Sequence, residues 1–220
     1  MTYEELRVVV VVYTTAIVPI IILFSLYLKG QRRYYITQRG QEIVYRVRSL
    51  PRSILKIYLS SFLICALGWE LWFTYGLYAG DPVDLRRSEV LNQFIPKNIN
   101  WLMNSLADAG TISLGGILLT GKLMGSDRKV FNQWNIGAFL ILLIWCISQN
   151  IFVEMFLYYD QLSVGKDLSW APLAPTGPWI NPILFQYGDR TITLHGQIPW
   201  LLMTPILYII TMHFQKEDIG

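Results

Sequence analysis

Five apolar blocks, each about as long as a lipid bilayer is thick, dominate this chain of 220 residues. Because an α-helix rises about 1.5 Å per residue, about 20 apolar residues cross the hydrocarbon core. The blocks predict an all-α, polytopic membrane bundle of about five transmembrane helices, which forms one integral membrane domain over 1–220. The predicted spans are 8–28, 57–79, 99–120, 136–158 and 198–214.

The first block begins close to Met1, where a signal peptide would also lie. The residues ahead of it include Glu4, Glu5 and Arg7 instead of a basic run, and no small-residue cleavage pattern follows Leu28. We therefore expect this block to be retained as the first helix.

The orientation of the bundle follows from the lysines and arginines in its short loops. Segment 29–56 carries eight of them and the turn 121–134 adds three. Six acids in the loops on the other side offset the five basic residues there, Arg86, Arg87, Lys97, Lys166 and Arg190. Basic loops remain cytoplasmic, so the N-terminus is predicted outside and the C-terminus inside. Membrane lipids, through anionic headgroups, account for the basic loop, and no nucleic-acid partner is expected.

Two outer segments differ in length and composition. Segment 80–98 is short and polar, whereas 159–197 is long and its prolines exclude a continuous helix. The stretch FQYGDRTITLHG predicts a small hairpin around Gly188 and Asp189. The long loop either covers an opening between helices or rests on the headgroups. An interfacial aromatic belt is the expected place for Trp170, Trp179 and Trp200.

Polar residues interrupt three of the apolar blocks at similar depth. At about 1.5 Å per residue, Glu70 and Asp108 lie roughly 14 Å from the outer ends of their helices, Asn150 roughly 12 Å and Glu154 roughly 6 Å. A charged side chain at the bilayer centre costs at least about 2.5 kcal/mol. Groups this costly predict a shared polar cavity in the outer half of the membrane.

Helical spacing places these polar residues on inward faces. Asn100, Asn104 and Asp108 recur every four residues, and Asn150 and Glu154 lie one turn apart. Because lipid offers no hydrogen-bond partners, both stripes should face the bundle. Interhelical hydrogen bonding is the alternative role for the asparagines. Close helix approach is expected at four glycines, Gly68, Gly110, Gly115 and Gly116.

Aromatic residues surround the carboxyl groups in sequence. They are Trp69, Trp72, Phe73, Tyr75, Trp101, Trp145, Phe152 and Phe156. Burial disfavours the charged form of a carboxyl group, a neutral carboxylic acid can donate its proton, and ring faces stabilise a cation. This combination suits the formation of carbocations from isoprenoids, although such aromatic residues are also common in membrane proteins. No metal or other cofactor is implied, because His195 and His213 fall on opposite sides.

Three segments resemble a known family. GWELWFTYGL, NWLMNSLADAGTI and CISQNIFVEMF are similar to segments of the small integral-membrane terpene cyclases of fungal meroterpenoid and indole-diterpene pathways, over roughly 65–160. The glutamate of the Trp-Glu-Leu segment is the family's proton donor, so the resemblance implies that role for Glu70. Family members commonly have seven spans and an essential aspartate near the C-terminus. The last apolar block of this chain has no acid, which leaves Asp108 or Glu154 as the second carboxyl.

These observations predict a membrane-embedded terpene or isoprenoid cyclase or isomerase that acts on a prenylated, lipid-like molecule. The predicted catalytic residues are Glu70, Asp108 and Glu154. The predicted substrate-binding residues are Trp69, Trp72, Phe73, Trp101, Asn104, Gln149 and Asn150. Three alternatives remain: a non-catalytic subunit docked to membrane-protein partners, a small proton-coupled transporter, and an enzyme resembling sterol isomerases.

Overall fold

The structure, a computed structural model, describes most of the chain and is mainly helical. The described residues are 1–30, 33–38, 41–46, 52–76, 82–125, 130–157, 182–187 and 190–217. The α-helices are α1 (Tyr3–Gly30), α2 (Arg52–Leu67), α3 (Trp69–Tyr75), α4 (Glu89–Phe94), α5 (Lys97–Ala107), α6 (Gly115–Leu123), α7 (Ile136–Phe152) and α8 (Leu194–Glu217). Asp108–Leu114 and Val153–Leu157 are π-helical, and Val83–Leu85 is a 3-10 turn.

Four stretches of the described chain are long and apolar enough to span a membrane. They are Tyr3–Leu28, Lys97–Leu123, Ile136–Leu157 and Gly196–Lys216. Helices α2 and α3 together supply a fifth candidate span, bent by 42°. The prediction of a mainly helical chain is therefore confirmed, and four or five candidate spans stand where about five were predicted.

The bend between α2 and α3 falls at Gly68. A Cβ atom at this position would lie 2.6 Å from the carbonyl oxygen of Ile64, one turn earlier in the chain. The bent backbone therefore requires glycine here, and the close approach is to the residue's own helix. Gly76 ends α3 in the left-handed conformation, with φ of 64°, which glycine adopts without steric cost.

Two β-hairpins accompany the helices. The chain therefore differs from the all-α fold that the sequence predicts. Strands β1 (Arg33–Gln38) and β2 (Gln41–Arg46) pair antiparallel within the segment expected to be a basic loop. Strands β3 (Ile183–Tyr187) and β4 (Arg190–Thr193) pair antiparallel with Tyr187 opposite Arg190. The predicted hairpin around 188–189 is confirmed. The rest of the long outer loop, 158–181 with Trp170 and Trp179, lies outside the described residues, and its role stays a prediction.

Helix α1 contacts the π-helical segment after α5 at a proline. Pro19 lacks an N–H, so the carbonyl of Thr15 has no helical donor. The Thr111 hydroxyl donates to this carbonyl at 2.7 Å, and a Cβ atom at Gly110 would lie 2.5 Å from the Cβ atom of Pro19. A polar bond and a glycine thus hold the two helices together at this level.

Residues 82–98 of the short outer segment contain a 3-10 turn, α4 and the start of α5, whereas their composition predicts a polar loop. Arg86 and Arg87 are only 2% and 8% exposed. Arg86 Nη2 donates to the Phe73 carbonyl at 2.7 Å, and its guanidinium carbon lies 4.9 Å from the Phe73 ring centroid. Arg87 Nη1 donates to Asn100 Oδ1 at 2.8 Å. These two arginines therefore cap and join helices. The prediction of orientation counted them as loop charges.

The ends of the bundle are defined here by α1. We call the end where α1 and α5 begin the outer end. An apolar cluster that includes Val12, Phe73 and Leu91 lies there, and a larger cluster that includes Ala109 and Leu142 joins the helices below it. The candidate site lies where these two clusters meet.

Candidate functional site

A cavity of about 350 Å³ lies among the helices. Its walls come from α1, α3, α5, α7, both π-helical segments and the first turns of α8. Eight of the ten predicted site residues line it: Glu70, Asp108, Glu154, Trp69, Phe73, Asn104, Gln149 and Asn150. The structure thus brings the three predicted catalytic carboxyls to one cavity, while their roles stay predictions.

Trp72 and Trp101 are not among the residues that line the cavity. At about 100° per residue, positions 69, 70 and 73 share one arc of α3 and position 72 falls outside it. Trp72 instead packs against the outer apolar cluster. The Trp101 indole donates to the Ala66 carbonyl at 2.8 Å. That carbonyl is in the last turn of α2, where helical donors are missing.

Glu70 lies on the cavity wall and is 6% exposed. Asn104 donates a side-chain hydrogen bond to its carboxyl group. The other carboxyl atom, Oε2, is buried and has no hydrogen-bond partner among the described residues. One oxygen of this carboxyl is therefore held by α5, and the described residues give the other no hydrogen bond, although the Arg86 charge acts on the group.

Asp108 is the second carboxyl at the same part of the cavity. Its Oδ2 atom accepts a hydrogen bond from the Trp69 indole at 2.9 Å. The Trp69 ring in turn packs against Trp200, with ring centroids 5.2 Å apart. Trp200 is 3% exposed and lines the cavity, so its assignment to an interfacial aromatic belt is wrong.

The stripe of polar residues on α5 divides into two roles. Asn100 is fully buried and bonds to Arg87 and to the Thr74 hydroxyl, whereas Asn104 reaches the cavity. Asp108 begins a π-helical segment, so the regular four-residue spacing stops there. Glu154 also lies in a π-helical segment. Such segments are frequent at functional sites because they redirect side chains.

Glu154 is held by two amide side chains. Asn150 Nδ2 donates to its Oε1 atom at 3.0 Å, and Gln197 Nε2 lies 3.3 and 3.2 Å from Oε1 and Oε2. Asn150 also donates to the Gly196 carbonyl at 2.9 Å. These bonds join the end of α7 to the start of α8, so this carboxyl is part of an interhelical network.

Several residues of the cavity wall do not appear in the predicted site. They include Arg7, Val11, Val12 and Thr15 of α1, Trp145 of α7, and Gly196, Pro199 and Trp200 of α8. Arg7, Val11 and Thr15 recur every four residues, a spacing that could have indicated one inward face. Helix α8 starts at Leu194, before the predicted 198, and continues through Pro199 and Pro205. Its early start brings Gly196 to the cavity.

The cavity reaches the protein surface beside two aromatic rings. Phe152 and Phe156 line it and are 60% and 39% exposed, and their ring centroids are 5.2 Å apart. The other cavity-lining residues are buried or partly buried. An apolar molecule in the bilayer would therefore meet the cavity at this pair.

No protein-family model, curated protein or solved structure matches this chain. The functional interpretation therefore depends on the cavity. The cavity offers a ligand carboxyl, amide, indole, hydroxyl and guanidinium groups within walls that are otherwise apolar or aromatic.

Proposed function

We infer that the chain is a multi-pass integral membrane protein with its N-terminus outside and its C-terminus inside. The candidate spans support the first statement, and the excess of lysine and arginine in 29–56 supports the second. A reporter fused to either terminus and tested for protease access in sealed vesicles would measure the orientation.

We propose that the protein is a membrane-embedded isoprenoid cyclase or isomerase in which Glu70 donates the initiating proton. The observation that carries the proposal is the buried Glu70 Oε2 atom, which has no partner among the described residues and lies on the wall of a mainly apolar cavity. The cavity volume of about 350 Å³ is within the usual range for sites that enclose small molecules.

The two deep carboxyls differ in a way that suggests their roles. Hydrogen-bond donors stabilise a carboxylate, and each carboxyl receives one, Asp108 from the Trp69 indole and Glu70 from Asn104. Of the two, only Glu70 has a buried oxygen that lacks a partner among the described residues. Leaving a buried polar atom unpaired costs about 1–3 kcal/mol, and more if it is charged. Glu70 is therefore the better proton donor, because an O–H at Oε2 would be available to a ligand.

The reaction would conserve the proton. Glu70 transfers a proton to an alkene carbon or an epoxide oxygen, which produces a carbocation in the substrate and a carboxylate on Glu70. The rings of Phe73, Trp69 and Trp145, which line the cavity, stabilise the cation. Loss of a proton to Asp108 forms the product alkene, and proton transfer back to Glu70 restores the starting state.

Comparison of wild type with Glu70→Gln tests the proposal. Cells that express either protein are supplied with prenylated precursors, and their lipids are extracted for mass spectrometry. Removal of a general acid lowers rates by about 10²–10⁴-fold, so we expect a cyclised or isomerised product only with wild type. Glu89→Gln is the matched control, since Glu89 is exposed on α4.

The remaining functions make different predictions in that experiment. Identical lipid profiles with wild type and Glu70→Gln over a broad precursor panel would contradict the enzyme and favour a subunit, which would purify with a stoichiometric partner. Proton uptake into proteoliposomes coupled to a solute would favour the transporter.

A further inference from the structure

Two residues that line the cavity each carry a buried polar atom to which the described part of the chain offers no hydrogen-bond partner. Among the described residues, Arg7 Nε and Glu70 Oε2 are buried side-chain atoms without a hydrogen-bond partner, and both residues contribute to the cavity wall. Buried polar groups in proteins are nearly always hydrogen-bonded. Two unpaired groups on one cavity wall therefore indicate positions that a bound molecule satisfies.

The Arg7 guanidinium is held in place through another of its nitrogens. Its Nη2 atom lies 2.5 Å from Glu4 Oε2 and also donates to the Phe156 carbonyl. These contacts fix the group between α1 and the π-helical segment after α7. Because the N–H groups of a guanidinium form a rigid fork, Nε is left with a defined position beside the cavity.

The Thr15–Thr111 hydrogen bond places Arg7 nearer the outer end than Asp108. Arg7 is eight residues before Thr15, or about 12 Å along α1, and Asp108 is three residues before Thr111, or about 4.5 Å. With Thr15 and Thr111 at one level, Arg7 lies roughly 7 Å farther out than Asp108. A single molecule that contacts both levels must therefore be extended.

The charges around Arg7 favour a neutral group on the ligand. Glu4 already pairs with the guanidinium. Glu154 is two residues from Phe156, whose carbonyl Arg7 contacts, and it lines the same cavity. Among the described residues, an anionic head at Arg7 would meet two carboxyl side chains, those of Glu4 and Glu154, and one cation. An oxygen of a hydroxyl, ketone or ester can accept from Nε without that repulsion.

We propose that Arg7 is a ligand-binding residue whose Nε–H donates to a neutral oxygen at one end of an apolar, chain-like molecule. The chain extends from Arg7 toward Glu70 and Asp108. The assignment rests on the proposed function for the use of this cavity and adds the class of polar group that the ligand carries.

Binding measured without turnover tests the assignment. Purified protein in lipid nanodiscs is titrated with farnesol, farnesene and farnesyl diphosphate, and binding is followed by the fluorescence of the cavity tryptophans Trp69, Trp145 and Trp200. A hydrogen bond to a charged group contributes about 1.5–3 kcal/mol, so wild type should bind farnesol at least about tenfold more tightly than farnesene. The diphosphate should bind no more tightly than the alcohol.

Arg7→Met should bind farnesol and farnesene equally. Lys97→Met is the matched control, because both cations are 34% exposed and paired with an acid, and Lys97 is outside the cavity wall. It should keep the preference for farnesol. Glu4→Gln offers a second variant: it removes the paired anion, so the affinity for the diphosphate should rise relative to that for farnesol.

A preference for farnesol that survives in Arg7→Met, or a wild type that binds none of the three probes, would overturn the assignment. So would a wild type that prefers the diphosphate. Because no product is measured, a failure of catalysis in the Glu70→Gln experiment leaves a positive binding result intact, and the two proposals can fail separately.

Discussion

The carboxyl groups at the two ends of the cavity differ in their hydrogen bonding. At the outer end, both oxygens of Glu154 accept hydrogen bonds from Asn150 or Gln197. At the deep end, Asn104 and Trp69 each supply one donor, to Glu70 and to Asp108, and Glu70 Oε2 has none among the described residues. A carboxyl whose acceptors are occupied connects helices, whereas one with an open oxygen can act on a ligand. The predicted set of three catalytic carboxyls thus divides into a deep pair and an outer connector.

Trp69→Phe should produce the largest change at the deep end among the variants compared here. It keeps an aromatic ring but removes the N–H that donates to Asp108 Oδ2. Loss of a hydrogen bond to a charged group costs about 1.5–3 kcal/mol, so we expect turnover to fall by about 10–100-fold. Steady-state product formation by purified protein measures the effect.

Trp101→Phe is the control for that variant. Its indole bond goes to the Ala66 carbonyl, and Trp101 does not line the cavity. This change should lower thermal stability with little effect on turnover. Equal losses of turnover in the two variants would contradict a special role for the Trp69–Asp108 bond.

Gly116→Ala should disturb the wall that both ends share. The added Cβ atom would lie 2.6 Å from Trp145 Cδ1 and 2.8 Å from Leu142 Cδ1. Trp145 must then move, although its indole donates to the Ile112 carbonyl at 2.9 Å. Overpacking typically costs about 1–3 kcal/mol, which a lowered melting temperature would reveal.

Gly115→Ala is the neighbouring control. A Cβ atom there would meet Trp145 Cζ2 only at 3.9 Å, an ordinary contact, so its melting temperature should stay close to that of wild type. The close approach expected at Gly115 is accordingly absent, whereas those at Gly110 and Gly116 are present. A Gly115→Ala variant as unstable as Gly116→Ala would show that the Trp145 contact is not the cause.

Glu154→Gln should have the smallest effect, and chiefly on stability. An amide nitrogen in place of one carboxyl oxygen cannot accept from Gln197, so about 1 kcal/mol is lost. For a chain of this size that corresponds to a decrease of about 2–4 °C in melting temperature. Turnover in Glu154→Gln should change little, in contrast to the loss of turnover expected in Glu70→Gln. Abolished turnover with an unchanged melting temperature would return Glu154 to the catalytic set.

The sequence predicts the helices well because their signal is local. Apolar length marks each span, whereas the bend at Gly68 was not predicted, because this glycine was expected at a close helix approach. The spacing of Asn104 and Asp108, together with the depth of Glu70, was enough to indicate a common cavity. These features depend on one helix at a time and on the thickness of the bilayer.

The features that sequence missed depend on contacts between distant segments. The sequence places Arg86 and Arg87 in a loop. Their partners, the Phe73 carbonyl and Asn100, come close to them only in the folded chain. Trp200 was predicted to lie at the membrane interface, yet its ring packs against Trp69. Arg7 precedes the first apolar block, and the folded structure brings it to the cavity wall, where it contacts Phe156.

Carbodiimide labelling would test most directly the difference between the two ends, and it requires no substrate. Dicyclohexylcarbodiimide is apolar and reacts with protonated carboxyl groups that it can reach, and the adducts can be assigned by peptide mass spectrometry of protein labelled in nanodiscs. We expect an adduct at Glu70 and none at Glu154, because the oxygens of Glu154 accept hydrogen bonds from Asn150 and Gln197. An adduct at Glu154 with Glu70 unmodified would contradict the division of the cavity into a reactive deep end and a structural outer end.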